Sequence, residues 1–175
     1  MNRYLLAALA TASLLSSQIQ PLQAQDQIGI AVGAVPEAVQ IEDLEGNPVD
    51  LGAYVGKGKP VLLEFWATWC SLCAELEPKI AAAAEKYGDE IEILVIAVAV
   101  NQSVRRVKRH VDSHEMPGPV LWDGEGHAVR AYMTPSTSYI VVLDAEGVVA
   151  YTGMGVRQDI DTVLQEVLGR EGATR

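Results

Sequence analysis

Two cysteines separated by two residues, Cys70 and Cys73, constrain this chain more than any other feature. They are its only cysteines, and they end the aromatic sequence Phe-Trp-Ala-Thr-Trp-Cys-Ser-Leu-Cys at 65–73. The apolar run at 61–66 is typical of a buried strand, whereas residues 74–86 are rich in Ala, Glu, Leu and Lys and favour a helix. The pair is therefore predicted at a junction between a strand and a helix.

The start of a helix is a favourable position for a reactive thiol. Unpaired backbone N–H groups and the helix dipole favour negative charge there, which lowers a thiol pKa below its free value of roughly 8.5. Cys70, nearer the helix end, is the expected nucleophile. Cys73, one turn further, is the expected resolving thiol that attacks the mixed disulfide. The spacing thus indicates reversible disulfide chemistry.

The sequence around the pair resembles the active site of the thioredoxin superfamily. Pro78, five residues after Cys73, matches the proline that kinks the active-site helix in that family. Thr134-Pro135, followed by a strand-like run at 137–143 and an Asp-Ala-Glu-Gly turn, resembles the family's cis-proline, strand and hairpin turn. The branch that the chain looks most like is the TlpA-like exported thiol-disulfide oxidoreductases.

The resemblance extends over residues 35–168 and implies an α/β fold, with a central mixed β-sheet flanked by helices. Residues 41–49 fit the N-terminal hairpin extension of this branch. The long stretch between Cys73 and Pro135 fits its central insertion. The apolar, β-branched run at 91–100 predicts a strand buried on both faces at the sheet centre.

Four residues take site roles from the resemblance. Pro135 is the expected cis-proline, which would leave the backbone of Thr134 free to pair with an extended substrate; the alternative is a trans proline in a loop. Trp69 is expected to flank Cys70 as a flat apolar surface; the alternative is an ordinary packing role. Glu64 takes the position of a buried acid that accepts the proton of Cys73, and its apolar strand predicts a raised pKa. The alternative for Glu64 is a carboxylate that reaches solvent at a sheet edge.

Departures from the family pattern bear on the direction of electron flow. Ser71 and Leu72, between the cysteines, have neither the charge nor the histidine that would strongly stabilise the thiolate of an oxidant, so we expect a reductant of exported protein disulfides. The resemblance implies a membrane electron donor and cytochrome c maturation as one pathway. Leu76 stands where some relatives have an acid, which argues against their specialised apocytochrome activity. A disulfide-forming oxidant or isomerase is the alternative.

Metal binding is the other interpretation of two close cysteines. A c-type haem needs a histidine after the second cysteine, where this chain has Ala74. Structural zinc needs four ligands, and His110, His114 and His127 are not at a zinc spacing from the pair. We expect no metal and no cofactor other than the redox-active disulfide itself. A copper-binding chaperone that uses both cysteines and a methionine such as Met133 is the alternative.

The first 24 residues have the layout of a secretory signal peptide. Arg3 precedes an apolar run at 5–15, and a Ser/Gln-rich segment ends at Ala24. This run is shorter than the ~20 residues that span a bilayer. We expect export to a periplasmic or extracytoplasmic space, with an uncleaved membrane anchor as the alternative. The predicted organisation is a signal peptide (1–24), a linker (25–34), one thioredoxin-like domain (35–170) and a tail (171–175).

Charge limits the partners. The formal net charge is −10, which argues against binding to nucleic acid or anionic membranes. Exported protein disulfides or thiols are the expected substrates, and we expect a monomer. A basic amphipathic helix at 103–114 either docks an acidic partner or forms a solvated face.

Overall fold

A mixed sheet of seven strands organises residues 28–174, the part of the chain that this computed structural model describes. Its order is β2-β1-β5-β4-β3-β6-β7; β3, β4 and β5 are parallel, and the other pairs are antiparallel. The predicted α/β fold with an N-terminal hairpin is confirmed. In chain order the strands and helices are β1 (Gln40–Glu42), β2 (Pro48–Asp50), β3 (Val61–Trp66), α1 (Ser71–Tyr87), β4 (Glu92–Val98), α2 (Val104–Val111), β5 (Val120–Asp123), α3 (His127–Ala131), β6 (Tyr139–Leu143), β7 (Val149–Met154) and α4 (Ile160–Thr174).

The central strands are apolar on both faces because helices cover both sides of the sheet. Leu62 of β3 packs in the cluster formed with α1 and α4. Its neighbour Leu63 points to the opposite side, into the cluster that includes Val107 of α2 and Ala128 of α3. Successive residues of a strand face opposite sides, so both neighbours must be apolar. The predicted central strand is confirmed as β4, between β3 and β5.

The parallel strands β3, β4 and β5 end at one edge of the sheet, and this edge positions the candidate site. The loops that follow β3 and β4 emerge there, together with the loop that enters the antiparallel strand β6. Ligands and reacting groups of α/β sheets commonly lie beyond the carboxyl ends of the strands. We call this side of the molecule the carboxyl edge.

The segment predicted as a linker at 25–34 packs onto the domain from residue 28 onward. Ile30 is buried, and its N–H donates to the hydroxyl of Tyr139 at 3.1 Å. The N–H of Gly33 donates to the carbonyl of Val149 at 2.7 Å. The linker prediction is therefore wrong for residues 28–34, because Ile30 inserts into the core beside an internal tyrosine.

Gly29 allows this close approach, and its replacement should test the N-terminal contact. Gly29 has φ +83°, and a Cβ there would overlap the Tyr139 hydroxyl; Gly33 has φ +87° but nothing near its Cβ direction. Both substitutions by alanine cost roughly 1 kcal/mol of backbone strain. We expect Gly29→Ala to lower the free energy of unfolding by about 2 kcal/mol more than Gly33→Ala, measured by urea denaturation. Equal losses would show that the tyrosine contact contributes nothing.

The C-terminal helix is longer than the sequence suggests. The tail predicted at 171–175 is wrong for residues 171–174, because α4 continues through Gly169 to Thr174. A glycine in a helix interior costs only about 1 kcal/mol, so it does not have to end the helix. The predicted signal peptide and the first residues of the linker lie outside the described residues. Among residues 28–174, no helix is long and apolar enough to cross a bilayer.

Candidate active site

Cys70 and Cys73 form a disulfide at the start of α1. Cys70 is the N-cap residue, with extended backbone, and its Sγ accepts a hydrogen bond from the Cys73 N–H at 3.1 Å. An N-cap side chain normally satisfies an unpaired N–H in this way, and here a sulfur takes the role of the usual oxygen. Cys70 is 8% exposed and Cys73 is 0% exposed. The sulfur that accepts from the helix terminus therefore belongs to the more accessible cysteine.

Gln102 holds the loop before the disulfide in place, a role that sequence inspection missed. Its Oε1 accepts from both the N–H and the hydroxyl of Thr68, each at 2.9 Å, and its amide donates to the carbonyl of Val98 at 2.6 Å. The indole N–H of Trp69 donates to the carbonyl of Val100 at 2.8 Å. These bonds join the loop after β3 to the loop after β4.

Several exposed apolar side chains lie at the carboxyl edge, the side of the sheet where the disulfide is found. Trp69 is 41% exposed although its indole N–H is bonded, so its position on the loop is fixed while its surface is open. Its predicted role beside the nucleophile fits this position and stays a prediction. A contiguous exposed apolar patch commonly marks contact with a partner, whereas single exposed apolar residues are ordinary. The other exposed apolar residues at this edge are Leu72, Val100, Met133 and Met154.

The predicted cis-proline is wrong. No cis peptide bond occurs within residues 28–174, so Pro135 is trans. The N–H of Thr134 donates to the carbonyl of Val129 at 2.9 Å and is not free for a substrate. The residue that leads into β6 is Ser138, whose N–H donates to Phe65 at the end of β3. The distance from Pro135 to the following hairpin turn, a few residues longer than the family pattern, was the available signal.

Ser138 is fully buried and has φ +61°. Its carbonyl accepts from Gly155 and from the Gln158 amide, so its backbone is fully engaged. Just before it, the backbone of Thr137 makes no hydrogen bond to any described residue, and Ser136 is exposed. The open main chain in this loop therefore lies at Thr137 rather than at Thr134.

Glu64 lies at the centre of the sheet, where β3 pairs with β4 on one side and β6 on the other. It is 1% exposed, and neither carboxyl oxygen has a hydrogen-bond partner among the described residues. The alternative of a solvent-reaching carboxylate at a sheet edge is therefore wrong. Burial, with a smaller contribution from the charge of nearby Glu77, raises the pKa of Glu64 to about 8. The predicted rise in its pKa is confirmed.

Glu77 connects this carboxyl to the helix of the disulfide. It lies one helical turn after Cys73 on α1 and acts electrostatically on Glu64. Leu62, two residues before Glu64 on the same strand face, packs against the same helix. Glu64 is therefore beneath the first turns of α1, on the side of the sheet that this helix covers.

Metal binding gains no support from the described part of the chain. Within it, no three side chains of the His, Cys, Asp and Glu type come close enough together to hold an ion. His110 and His114 stack on one another, and His110 contacts Trp66, but the pair has no third ligand type beside it. The cysteine pair at the start of α1 has the arrangement that thiol exchange requires.

Comparison with known proteins gives a consistent family assignment. The Redoxin family matches residues 31–168. The thioredoxin-like protein YneN of Bacillus subtilis is 30% identical over 125 residues, which cover 70% of this chain and 71% of YneN. The thiol-disulfide oxidoreductase ResA of Bacillus thuringiensis subsp. konkukian is 26% identical, with 73% of each chain covered. The exposed lipoprotein thioredoxin Etrx1 of Streptococcus pneumoniae superimposes with a TM-score of 0.64 at 28% identity, over 76% of this chain and 99% of Etrx1.

Proposed function

Since the chain belongs to the Redoxin family and is a thiol-disulfide oxidoreductase, we propose that it reduces disulfides of other extracytoplasmic proteins. The observation that carries the proposal is the disulfide at the N-terminus of α1, with Cys70 the more exposed sulfur. In the reduced protein, the helix terminus stabilises the Cys70 thiolate through the Cys73 N–H and the helix dipole.

The first half of the reaction is attack by Cys70. Its thiolate bonds to one sulfur of the client disulfide, the client S–S bond breaks, and the second client sulfur leaves as a thiolate that takes a proton from solvent. A mixed disulfide between Cys70 and the client remains. The exposed apolar side chains around the pair, led by Trp69, support contact with the client chain at this stage.

The second half is resolution by Cys73. Its thiol loses a proton to the Glu64 carboxylate and attacks Cys70, so the intramolecular disulfide forms and the second client thiol leaves. Two electrons pass from the dithiol to the client. A base with a pKa of about 8 is well matched to a thiol whose free pKa is roughly 8.5, because proton transfer between groups of similar pKa is nearly balanced.

Main-chain contact with the client is proposed at Thr137. Its N–H and C=O have no partner among the described residues, and it lies two residues before the strand β6 begins at Tyr139. An extended client segment can pair with such groups by strand addition, which reads main chain more than side chains. Pro135 and Thr134 then shape the loop that presents Thr137.

The proposal also covers the direction of electron flow, the compartment in which the protein works and its electron donor. Ser71 and Leu72 add no charge that would stabilise the Cys70 thiolate beyond the helix terminus, which supports a reductant. Such a protein works outside the cytoplasm and receives electrons from a membrane donor. Cytochrome c maturation is a pathway with clients of this kind, but Leu76 gives no support for a site specialised for apocytochromes.

The equilibrium redox potential of the Cys70/Cys73 couple tests the direction. We expect a value near −270 mV, as for thioredoxin, from titration against dithiothreitol and glutathione. Tryptophan fluorescence is the readout, because Trp66 and Trp69 adjoin the disulfide. The Cys73→Ser variant, which cannot form the internal disulfide, should show no transition. A potential near −120 mV would contradict the proposal and assign the chain to disulfide-forming oxidants.

A further inference from the structure

Helix α2 has a net positive charge, whereas the chain as a whole is acidic. Its eight residues, Val-Arg-Arg-Val-Lys-Arg-His-Val, contain four Lys or Arg and no Asp or Glu. The whole chain has a formal net charge of −10. Local charge on this helix is therefore opposite in sign to the charge of the molecule.

The arginines of α2 face solvent without partners. Val107 is fully buried, so its side of the helix faces the core. The opposite side faces solvent, and the side chains exposed there are Arg105, Arg106 and Arg109. Lys108 pairs with Glu45 at 3.1 Å, but none of the ion pairs or hydrogen bonds in the described part of the chain uses these three guanidinium groups. Like charges at this spacing repel one another on a helix. We call the three residues the arginine face.

Helix α2 begins close to the loop that carries the disulfide. Helix α2 begins two residues after Gln102, whose side chain is bonded to Thr68 of the loop that precedes Cys70. Three residues of chain span at most about 11 Å, so the first arginine, Arg105, lies within that distance of Gln102 along the backbone. The exposed Val100 lies in the same loop before α2, and its carbonyl accepts a hydrogen bond from the indole N–H of Trp69. Along the chain, the exposed Val100 is thus followed within six residues by the exposed Arg105 and Arg106.

We propose that the arginine face binds carboxylates of the client, so that the preferred client disulfide is flanked by Asp and Glu residues. This inference rests on the proposed reductase function and names its substrate class. The guanidinium group presents a planar set of donors that fits a carboxylate with two parallel bonds. An acidic client segment supplies negative charges for these arginines, which no carboxylate in the described part of the chain pairs with. A short acidic segment of a client can be confined to this local positive charge, whereas a membrane, the other large anionic surface, would also meet the net negative charge of the molecule.

Three disulfide-bridged peptides with one central sequence and flanks of Asp, Ser or Lys test the proposal. We expect kcat/KM for the Asp peptide to exceed that for the Ser peptide about 10-fold at low ionic strength, with the Lys peptide slowest. The advantage should fall to about 2-fold at 0.5 M salt (about 4 Å of screening length), because exposed charges are screened.

A matched pair of double variants separates the arginine face from net charge. Arg105→Glu/Arg106→Glu should remove the preference for the Asp peptide and leave the Ser peptide unchanged within about 2-fold. Lys57→Glu/Lys59→Glu makes the same change in charge next to the start of β3, at the opposite end of that strand, with both lysines exposed. This control should keep the preference for the Asp peptide.

Several results would overturn the inference. One is an equal loss in both double variants, which would assign the effect to net charge; another is equal kcat/KM for all three peptides in the wild-type protein. Binding of the arginine face to phosphatidylglycerol vesicles, with no preference among the peptides, would assign it to a membrane surface. Failure to reduce any of the peptides would instead contradict the proposed function itself.

Discussion

Replacement of Cys70 by serine should abolish reduction of protein disulfides, with a loss of at least about three orders of magnitude in kcat/KM. Cys70 is the more exposed of the two sulfurs and the one that accepts from the helix terminus. A serine hydroxyl at this position is not ionised at neutral pH and cannot form the mixed disulfide. The insulin reduction assay with dithiothreitol as the electron donor measures the loss.

Cys73→Ser should fail at a different step. Its Cys70 can still attack, but the buried resolving thiol is absent, so the covalent complex with the client accumulates. We expect a mixed disulfide on non-reducing gels and by mass spectrometry, which dithiothreitol releases. Trapping by Cys70→Ser instead of Cys73→Ser would reverse the two assignments.

Glu64→Gln should make the oxidised protein more stable than wild type at alkaline pH, by an amount on the order of 4 kcal/mol. The pKa of Glu64 is raised from 4.5 to about 8 in the folded protein, chiefly by burial. Between these values the unfolded chain has lost the proton while the folded protein keeps it. The free energy of unfolding therefore falls as pH rises from 4.5 to 8, and glutamine removes this loss because it does not titrate.

Urea denaturation of the disulfide form at pH 4.5, 7 and 9 measures this difference. The disulfide form is the appropriate one because its cysteines do not titrate. Glu64→Gln should match wild type at pH 4.5 and diverge progressively above it. Glu75→Gln, at an exposed acid in the first turns of α1, is the control and should follow wild type at every pH. Parallel curves for wild type and Glu64→Gln would show that Glu64 titrates normally.

The same variant separates the proposed catalytic role of Glu64 from a purely structural one. Glu64→Gln should form the mixed disulfide at the wild-type rate but resolve it about 10²-fold more slowly, since the proton acceptor for Cys73 is lost. Single-turnover kinetics distinguish the two steps. An unchanged rate of resolution would limit Glu64 to its effect on stability.

The sequence by itself determined the position and chemistry of the redox pair. Its cysteines follow an apolar strand and open a helix, and these features are local: the apolar run must be buried, and the Ala/Glu-rich run favours a helix. The burial of Glu64 was also foreseeable, because its strand neighbours are all apolar. The sheet order alone decides that β3 lies between two other strands, and this position keeps solvent away from Glu64.

Tertiary structure decided which residues meet the redox pair from elsewhere in the chain. The path of the loop that enters β6 decides three features: the trans Pro135, the open backbone at Thr137 and the buried Ser138. A Thr-Pro motif alone does not fix this path. Gln102 reaches Thr68 only because β3 and β4 end side by side. Such contacts join residues far apart in sequence, so their geometry follows from strand pairing and packing rather than from any local pattern.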